Sequence, residues 1–251
     1  MNKEKLYPVV SYLFILTFGM ASRISQPREI SASSYYDLFV TVPPVEIEEG
    51  TFAEERSVLA PQGEVVLSAV EDTTLAHINK IYGLPSSYVP TNLTQITSVP
   101  TFGTQRLRAG ILPYLYQLFG AAQEAGYELA VASAYRSYAE QELVFLWWVE
   151  QVGWEAALRG SALPGHSEHQ LGTTVDLALA ENVNFERFVS SPAAPWVAKN
   201  AHRFGFVVSY PPGKESITGY ISEPWHVRWV GIDLATQLFN QGLTLEEYLS
   251  R

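Results

Sequence analysis

The 251-residue sequence contains no cysteine, and this absence removes several kinds of chemistry at once. Disulfide frameworks, thiolate zinc sites, cysteine nucleophiles and a lipid-modified cysteine anchor are all excluded. Histidine is scarce, with five residues, and aspartate occurs only at positions 37, 72, 176 and 233. Any metal site must therefore be built from a small set of histidine and carboxylate side chains.

Basic residues are also few. The chain has 16 Lys and Arg against 26 Asp and Glu, which gives a net charge of −10 and a pI of about 5.0. Nucleic-acid binding needs clustered positive charge to neutralise phosphates. We therefore expect no nucleic-acid partner.

One apolar run stands out, at the N-terminus. Lys3 and Lys5 precede an apolar segment from about residue 6 to residue 21, which ends in small residues. A basic start and a short apolar run are typical of a secretory signal, and the run is short for a membrane span. We expect residues 1–21 to be a signal peptide or membrane anchor, which makes the protein exported and extracytoplasmic, in the periplasm or cell wall.

Residues 22–74 carry serine and proline clusters and an acidic patch without a sustained hydrophobic period. Such a composition is typical of a stem or linker, although a run that begins at Gly63 has the pattern of a short strand. From Leu75 onward helical and strand periods appear, and one catalytic domain is predicted over residues 75–251. We expect a monomer.

The apolar spacing predicts helices and strands in irregular alternation. Helices are predicted at 106–125, 137–158, 195–204, 232–240 and 245–249, and strands at 127–134, 173–179, 206–209 and 225–230. This order predicts an α+β fold, in which a small, mainly antiparallel sheet is flanked by helices.

Two short stretches carry the residues of a candidate metal site. The first runs from Gly165 to Asp176 and contains His169, and the second is Glu223-Pro224-Trp225-His226. Two histidines and one carboxylate leave the fourth position of zinc open for water, which distinguishes a catalytic site from a structural one. We expect one zinc ion per chain, bound by His169, Asp176 and His226 in a cleft on the sheet.

The spacing within the first stretch requires a bend. Seven positions separate His169 from Asp176, which would place them on opposite faces of one regular strand. Gly172, between them, is the residue at which the chain can turn. We therefore expect the two ligands to converge across a turn-to-strand junction.

The second stretch and an arginine supply the remaining chemistry. Pro224 disfavours a helix interior, so the stretch is expected on a loop that enters a strand, with Glu223 beside the ligand His226. Glu223 is the predicted general base that takes a proton from the attacking water. Arg136, just after a predicted strand, is expected to stabilise the developing oxyanion.

Other residues of these types have structural interpretations. We assign neither His77 nor His202 to the site. His166 lies three residues before His169, as in a ligand pair, but the Pro-Gly before it favours a loop-capping or ligand-supporting role. Arg136 has a structural ion pair as its alternative. Arg228 shares a strand face with His226, so both an ion pair and a substrate contact remain open for it.

Three ordered motifs carry a family resemblance. They are Ser-Ala-Tyr-Arg-Ser at 133–137 with Gln141, Pro-Gly-His-Ser-Glu-His-Gln-Leu-Gly at 164–172 with Asp176, and Glu-Pro-Trp-His-Val-Arg-Trp-Val-Gly at 223–231. Together they closely resemble the VanY-type D-alanyl-D-alanine carboxypeptidases, zinc peptidases related to the VanX dipeptidases and the peptidoglycan L,D-carboxypeptidases. The resemblance runs from about residue 79 to residue 249.

The resemblance implies the same zinc ligands, the same base and the same oxyanion-stabilising arginine as the residues do by themselves. It also implies that Ser167 and Gln141 line the substrate pocket. Ser209 and the pair Thr173-Thr174 depart from the residues that are usual in the family. We expect these departures to affect peptide specificity more than zinc chemistry.

The predicted function is removal of the C-terminal D-alanine from peptidoglycan stem peptides. An L,D-carboxypeptidase acting on tetrapeptides and a cell-wall endopeptidase are the alternatives with a metal site, and a non-enzymatic wall-binding module is the alternative without catalysis. A serine mechanism is excluded because no lysine follows a serine in a Ser-x-x-Lys motif. The complete set of ligands, base and arginine argues against a silent binding module.

Overall fold

The structure, a computed structural model, describes residues 73–251. The predicted signal peptide or anchor, nearly all of the predicted stem and the strand expected near Gly63 lie outside these residues. Within residues 73–251, none of the helices has the length and the apolar composition of a membrane span. This part of the chain combines helices with small antiparallel sheets, as the order of the predicted elements indicated.

The first sheet has two antiparallel strands, β1 (Leu93–Gln95) and β2 (Arg106–Arg108). The prediction of a helix from residue 106 is therefore wrong at its N-terminal end, because helix α1 spans Leu112–Glu124 and has Pro113 in its first turn. Leu107 is fully buried between two less buried arginines, as in a strand. Three residues are too few for hydrophobic spacing to distinguish a strand from a helix.

The second sheet has four antiparallel strands and positions the candidate site. The strands are β3 (Leu129–Ser133), β4 (Thr174–Leu179), β5 (Phe206–Val208) and β6 (His226–Trp229), in the spatial order β3-β4-β6-β5. The register places Asp176 of β4 opposite His226 of β6, and Ser133 opposite Asp176 beyond an irregularity in β3. Two predicted ligands therefore lie on neighbouring central strands.

Further helices surround the sheets. They are α2 (Tyr138–Val152), α3 (Trp154–Gly160), α4 (Phe185–Ser190), α5 (Ala193–Asn200), α6 (Glu215–Thr218), α7 (Ile232–Gln241) and α8 (Leu245–Leu249). The single helix predicted over 137–158 is two helices, because Gly153 between them has a φ of 81°. Glycine adopts this left-handed region without a Cβ clash, so the chain turns there. A 3-10 helix, Ala201–Phe204, continues α5 and completes the predicted third helix.

One face of the four-stranded sheet packs against the main hydrophobic core. Val131, Leu177 and Val227 contribute to this core from β3, β4 and β6, and α1, α4 and α5 cover it with apolar side chains. Full burial of each such side chain contributes roughly 1.5–3 kcal/mol. The opposite face of β4 and β6 carries Asp176, His226 and Arg228, all of them buried.

Candidate metal centre

His169 reaches the sheet from a short 3-10 helix that spans Glu168–Leu171. Gly172 ends this helix in the left-handed conformation, with a φ of 67°, and the chain then enters β4. The predicted bend at Gly172 is confirmed. The Nδ1 atom of His169 lies 2.6 Å from the main-chain oxygen of Ala134, so the hydrogen-bonded Nδ1–H leaves Nε2 free to bind a metal.

The three predicted ligands converge. Nε2 of His169 is 3.1 Å from Oδ2 of Asp176, and Nδ1 of His226 is 3.2 Å from Oδ1 of Asp176. One ligand atom from each residue lies within 4.8 Å of the others, and all three residues are buried. Glu223 and Arg136 border this group on the cleft side.

This group of donors fits zinc. Two imidazole nitrogens and a carboxylate are ligands of the type that catalytic zinc sites use. Oδ1 of Asp176 is buried and accepts no well-formed hydrogen bond, although Nδ1 of His226 is close to it. Buried carboxylate oxygens normally have partners. A metal ion shared with the two histidines would satisfy this oxygen.

The electrostatics of the group also favour a cation. Burial opposes a charge on His226, but the neighbouring carboxylates of Asp176 and Glu168 outweigh it and raise the pKa of His226 to about 10. Burial likewise opposes ionisation of Asp176, but the two histidines hold the pKa of this carboxyl well below its usual range. The group therefore retains a proton at neutral pH. The negative charges that hold this proton would also hold a dication in its place.

Glu223 stands on the cleft side of His226. A tight turn runs from Glu223 through Pro224 to His226, whose main-chain N–H donates to the oxygen of Glu223 at 3.0 Å. The predicted loop leading into a strand is confirmed. Oε2 of Glu223 is 3.5 Å from Nδ1 of His226, and burial raises the pKa of Glu223 to about 8. A bound dication would lower this pKa again, which keeps the carboxylate available as a base near neutrality.

Arg136 lies on the loop between β3 and α2, where its guanidinium is held from two sides. Nη1 donates to Oε1 of Gln141 at 2.7 Å, and Nη2 donates to Oγ of Ser133 at 3.0 Å. Nη2 is 3.9 Å from Oδ2 of Asp176, which is a longer contact. The guanidinium is thus aimed at the ligand group without being neutralised by a close ion pair.

Gln141 and Ser167 border the same cleft. Gln141 is almost fully buried, and its amide nitrogen donates to the oxygen of Ala162 at 2.6 Å while its oxygen accepts from Arg136. Gln141 therefore holds the arginine in place, and its predicted contact with substrate stays a prediction. Ser167 precedes the 3-10 helix that carries His169, and its predicted role likewise stays a prediction.

A cleft of about 510 Å³ opens onto the ligand group. All seven predicted site residues line it, together with an apolar wall that includes Phe102, Val183, Phe185 and Trp225. The rings of Phe185 and Trp225 stack with centroids 4.7 Å apart. The cleft thus offers room for a short peptide beside the candidate metal site.

Sequence reasoning missed the role of Glu168 and its partners. Oε2 of Glu168 is 3.0 Å from Nε2 of His226 and accepts from Oγ of Ser209, while Nη1 of Arg228 donates to Oε1. The open question about Arg228 is therefore answered by an ion pair. Ser209 is buried and does not line the main cleft. Its hydroxyl instead holds Glu168, which contacts the predicted ligand His226. The available signal was the position of Glu168 directly before a predicted ligand.

The other histidines lie outside the ligand group, as predicted. His77 contacts Glu246, and His202 stacks on Phe239 with ring centroids 3.9 Å apart. Nδ1 of His166 is 2.8 Å from the main-chain oxygen of Asn79. This contact ties together two loops, which agrees with the expected structural role of His166.

Comparison with known proteins identifies the family. The sequence model for VanY, described as D-alanyl-D-alanine carboxypeptidase, matches residues 104–232. A D-alanyl-D-alanine carboxypeptidase of Enterococcus faecalis is 32% identical in an alignment of 253 positions, which covers 95% of this chain and 89% of that protein.

Solved structures that resemble this chain belong to the same group of zinc peptidases. The structure of the LdcB LD-carboxypeptidase is 39% identical, with a TM-score of 0.63 over 69% of this chain and 84% of that one. A mutant of the vancomycin resistance D,D-pentapeptidase VanY from a VanB-type resistance cassette, in complex with Zn(II), is 36% identical, with a TM-score of 0.60 over 71% of this chain and 99% of that one. With the residues predicted as ligands, base and oxyanion-stabilising arginine lying around one cleft, this chain belongs to the VanY family of zinc-dependent carboxypeptidases.

Proposed function

We propose that this protein is a zinc-dependent D-alanyl-D-alanine carboxypeptidase that removes the C-terminal D-alanine from peptidoglycan stem peptides. The observation that carries this proposal is the position of Glu223. Its buried carboxylate lies 3.5 Å from a ligand histidine, at the opening of a peptide-sized cleft, with Arg136 on the other side of Asp176. Amide hydrolysis requires a base for the attacking water, a site that polarises the scissile carbonyl and a fixed cation for the oxyanion.

His169, Asp176 and His226 would hold the zinc ion, which supplies Lewis acidity towards the scissile carbonyl and the attacking water. Glu223 takes one proton from that water as its oxygen bonds to the carbonyl carbon, and then delivers the proton to the departing amine of D-alanine. Arg136 stabilises the negative charge that develops on the carbonyl oxygen. The C–N bond breaks, and the products are a shortened peptide and free D-alanine.

The lining of the cleft favours a pentapeptide that ends in two D-alanines. Among the described residues, the charged side chains that line the cleft are those of the ligand group, its base, Arg136 and the supporting Glu168. Each of them is engaged within the site, so none is available for the charged side chain of a diaminopimelate or lysine next to the scissile bond. The apolar wall around Phe102 and Val183 suits the methyl group of a penultimate D-alanine.

An L,D-carboxypeptidase is the second candidate function, because the LdcB LD-carboxypeptidase shares 39% of its residues with this chain over the matched region. Incubation of the zinc-loaded full chain with a stem pentapeptide and a stem tetrapeptide, followed by mass spectrometry, separates the two. Loss of one alanine from the pentapeptide alone supports the proposal. Loss of one alanine from the tetrapeptide moves the assignment to the L,D class.

Controls make the result specific. The Glu223→Gln variant and a chelated sample should release no alanine. Zinc-independent release of alanine would contradict the mechanism, and cleavage of cross-linked wall without release of alanine would indicate an endopeptidase.

Export completes the proposal and rests on the sequence of residues 1–21. We expect the protein outside the cytoplasm, as a monomer that is either secreted or held by its N-terminal anchor. Fractionation of cells that express the full chain, followed by determination of the mature N-terminus, distinguishes a cleaved signal from a retained anchor. Light scattering of the purified protein tests the monomer.

A further inference from the structure

Glu168 contacts the ring of His226 at Nε2, the nitrogen that does not face Asp176 and Glu223. The Oε2 atom of Glu168 is 3.0 Å from Nε2 of His226, and only 5% of Glu168 is exposed. Nδ1, the other ring nitrogen, faces Asp176 and Glu223. The two nitrogens of His226 therefore meet different partners, one directed into the site and one directed behind it.

Glu168 is held in place from both of its oxygens. Arg228 donates to Oε1 at 2.7 Å, and the hydroxyl of Ser209 donates to Oε2 at 2.6 Å. Arg228 is itself fully buried and also donates to the main-chain oxygens of Thr74 and Ala76. The carboxylate cannot turn away from His226 without breaking this network.

The network decides which nitrogen of His226 carries the proton. An ionised carboxylate only accepts hydrogen bonds, so Nε2 of His226 must donate to Glu168. When a metal ion displaces the other ring proton, the lone pair of Nδ1 is directed towards the metal site. A carboxylate behind a ligand histidine sets the tautomer and the ring orientation and makes the histidine a stronger ligand.

We infer that Glu168 is the positioning residue of the metal centre: it fixes His226 as an Nδ1 ligand, and Arg228 and Ser209 hold Glu168 for this task. This inference rests on the zinc site of the proposed function and adds the residues that prepare it. A buried ion pair by itself is weak evidence of stabilisation, because well-packed apolar residues often serve as well. The placement of the pair directly behind a ligand is what indicates a role in metal binding.

Glu168 and Glu223 form a matched pair for the test. Both are buried glutamates beside His226, on opposite sides of its ring. In Glu168→Gln, the amide oxygen is drawn to Arg228, so the amide N–H₂ group is directed at Nε2 of His226 and favours the wrong tautomer. We expect the zinc affinity of the full chain, measured by competition with a chromophoric chelator, to fall about 10–100-fold.

Glu223→Gln removes the other carboxylate beside His226 but does not change the tautomer, so we expect it to weaken zinc binding less than Glu168→Gln does. Zinc affinity of Glu168→Gln within twofold of wild type would overturn the inference. Thermal unfolding of both chelated variants separates a general loss of stability from a loss of metal binding.

A second measurement needs no variant, so it stands even if Glu168→Gln does not fold. Nitrogen NMR of histidine-labelled, zinc-loaded wild type should show His226 with Nδ1 bound to the metal and Nε2 protonated. A protonated Nδ1 with Nε2 bound to zinc would overturn the inference. Neither readout uses a peptide, so a failure here is distinguishable from a failure of the proposed enzymatic function.

Discussion

The two faces of the four-stranded sheet are both buried, but different interactions bury them. One face places Val131, Leu177 and Val227 in the main hydrophobic core, against apolar side chains from three helices. The other face places Asp176 and His226, among other polar residues, beneath the short helix that carries His169. Alternate residues of the same strands therefore belong to two environments of opposite character.

This difference predicts how each face of the sheet responds to substitution. Apolar burial is non-directional and grows with the area removed from water, so its loss is graded. On the polar face the charged groups contact specific partners, and removing one partner leaves another buried group unsatisfied. We expect changes on the first face to alter stability and changes on the second to alter chemistry.

Removal of the predicted base on the polar face should cause the largest loss of activity. In Glu223→Gln the side chain keeps its size and burial but cannot take a proton from water. We expect kcat to fall about 10²–10⁴-fold, measured as D-alanine release. Zinc content should match that of wild type, and a variant with normal turnover would contradict the assignment of the base.

Truncation of the oxyanion-stabilising arginine should have the next largest effect. Arg136→Ala removes the cation that Gln141 and Ser133 hold beside the ligand group. We expect a loss of about 10²–10³-fold in kcat, measured on the same peptide. Arg106→Ala is the control, because Arg106 is exposed on β2, and the prediction fails if both variants lose equal activity.

A cavity on the apolar face should cost stability and leave the chemistry in place. Leu177 is fully buried in the main core, one position from the ligand Asp176 but on the opposite face. Leu177→Ala should lower the free energy of unfolding by about 2–5 kcal/mol, measured by denaturant titration. Leu177→Met, which nearly conserves volume, should cost less, and a change of zinc affinity larger than about threefold would show that the two faces are coupled.

Metal removal tests the same independence from the other direction. Zinc that binds only the folded state adds about 2.7 kcal/mol of stability at a free concentration of 100 times its Kd. Thermal unfolding with zinc and with a chelator should show this increment in wild type and in Leu177→Ala alike. Asp176→Asn should show little increment, because it replaces a charged ligand with a neutral amide.

The smallest effect should come from the cap at the start of α8. The hydroxyl of Thr244 accepts from the main-chain N–H of Glu247, and the Glu247 carboxylate accepts from the N–H of Thr244, which forms a reciprocal cap. Thr244→Ala should cost about 1 kcal/mol, while Thr244→Ser should retain most of it. Circular dichroism during thermal unfolding measures the difference, and activity at low temperature should not change.

The candidate site was more predictable than the elements around it. Two compact motifs contain residue types that are typical of a catalytic zinc site, so the sequence was enough to predict His169, Asp176, His226 and Glu223. Gly172 was identified as a bend because the odd spacing demanded one. These inferences depend on local chain geometry, which a sequence expresses directly.

The errors in the predicted elements have local causes as well. The strand β2 was merged into the helix that follows it, because three residues do not establish a period of two. Helices α2 and α3 were joined across Gly153, because apolar spacing continues on both sides of the glycine and does not reveal its left-handed φ. In both places a backbone turn interrupts a hydrophobic pattern that persists.

The sequence by itself indicated the class of chemistry, the predicted ligands, the predicted base and, by the resemblance of its motifs, the family of this protein, because these are expressed in residue types at short spacings. Only the tertiary structure decided how the ligands are supported. Glu168 and Arg228 are 60 positions apart, and Glu168 and Ser209 are 41 apart. Ser209 directly follows β5, which pairs with β6, and Arg228 lies on β6, while Glu168 lies on the 3-10 helix that precedes β4. Strand register depends on the burial of both faces together, so no single segment of the sequence contains it.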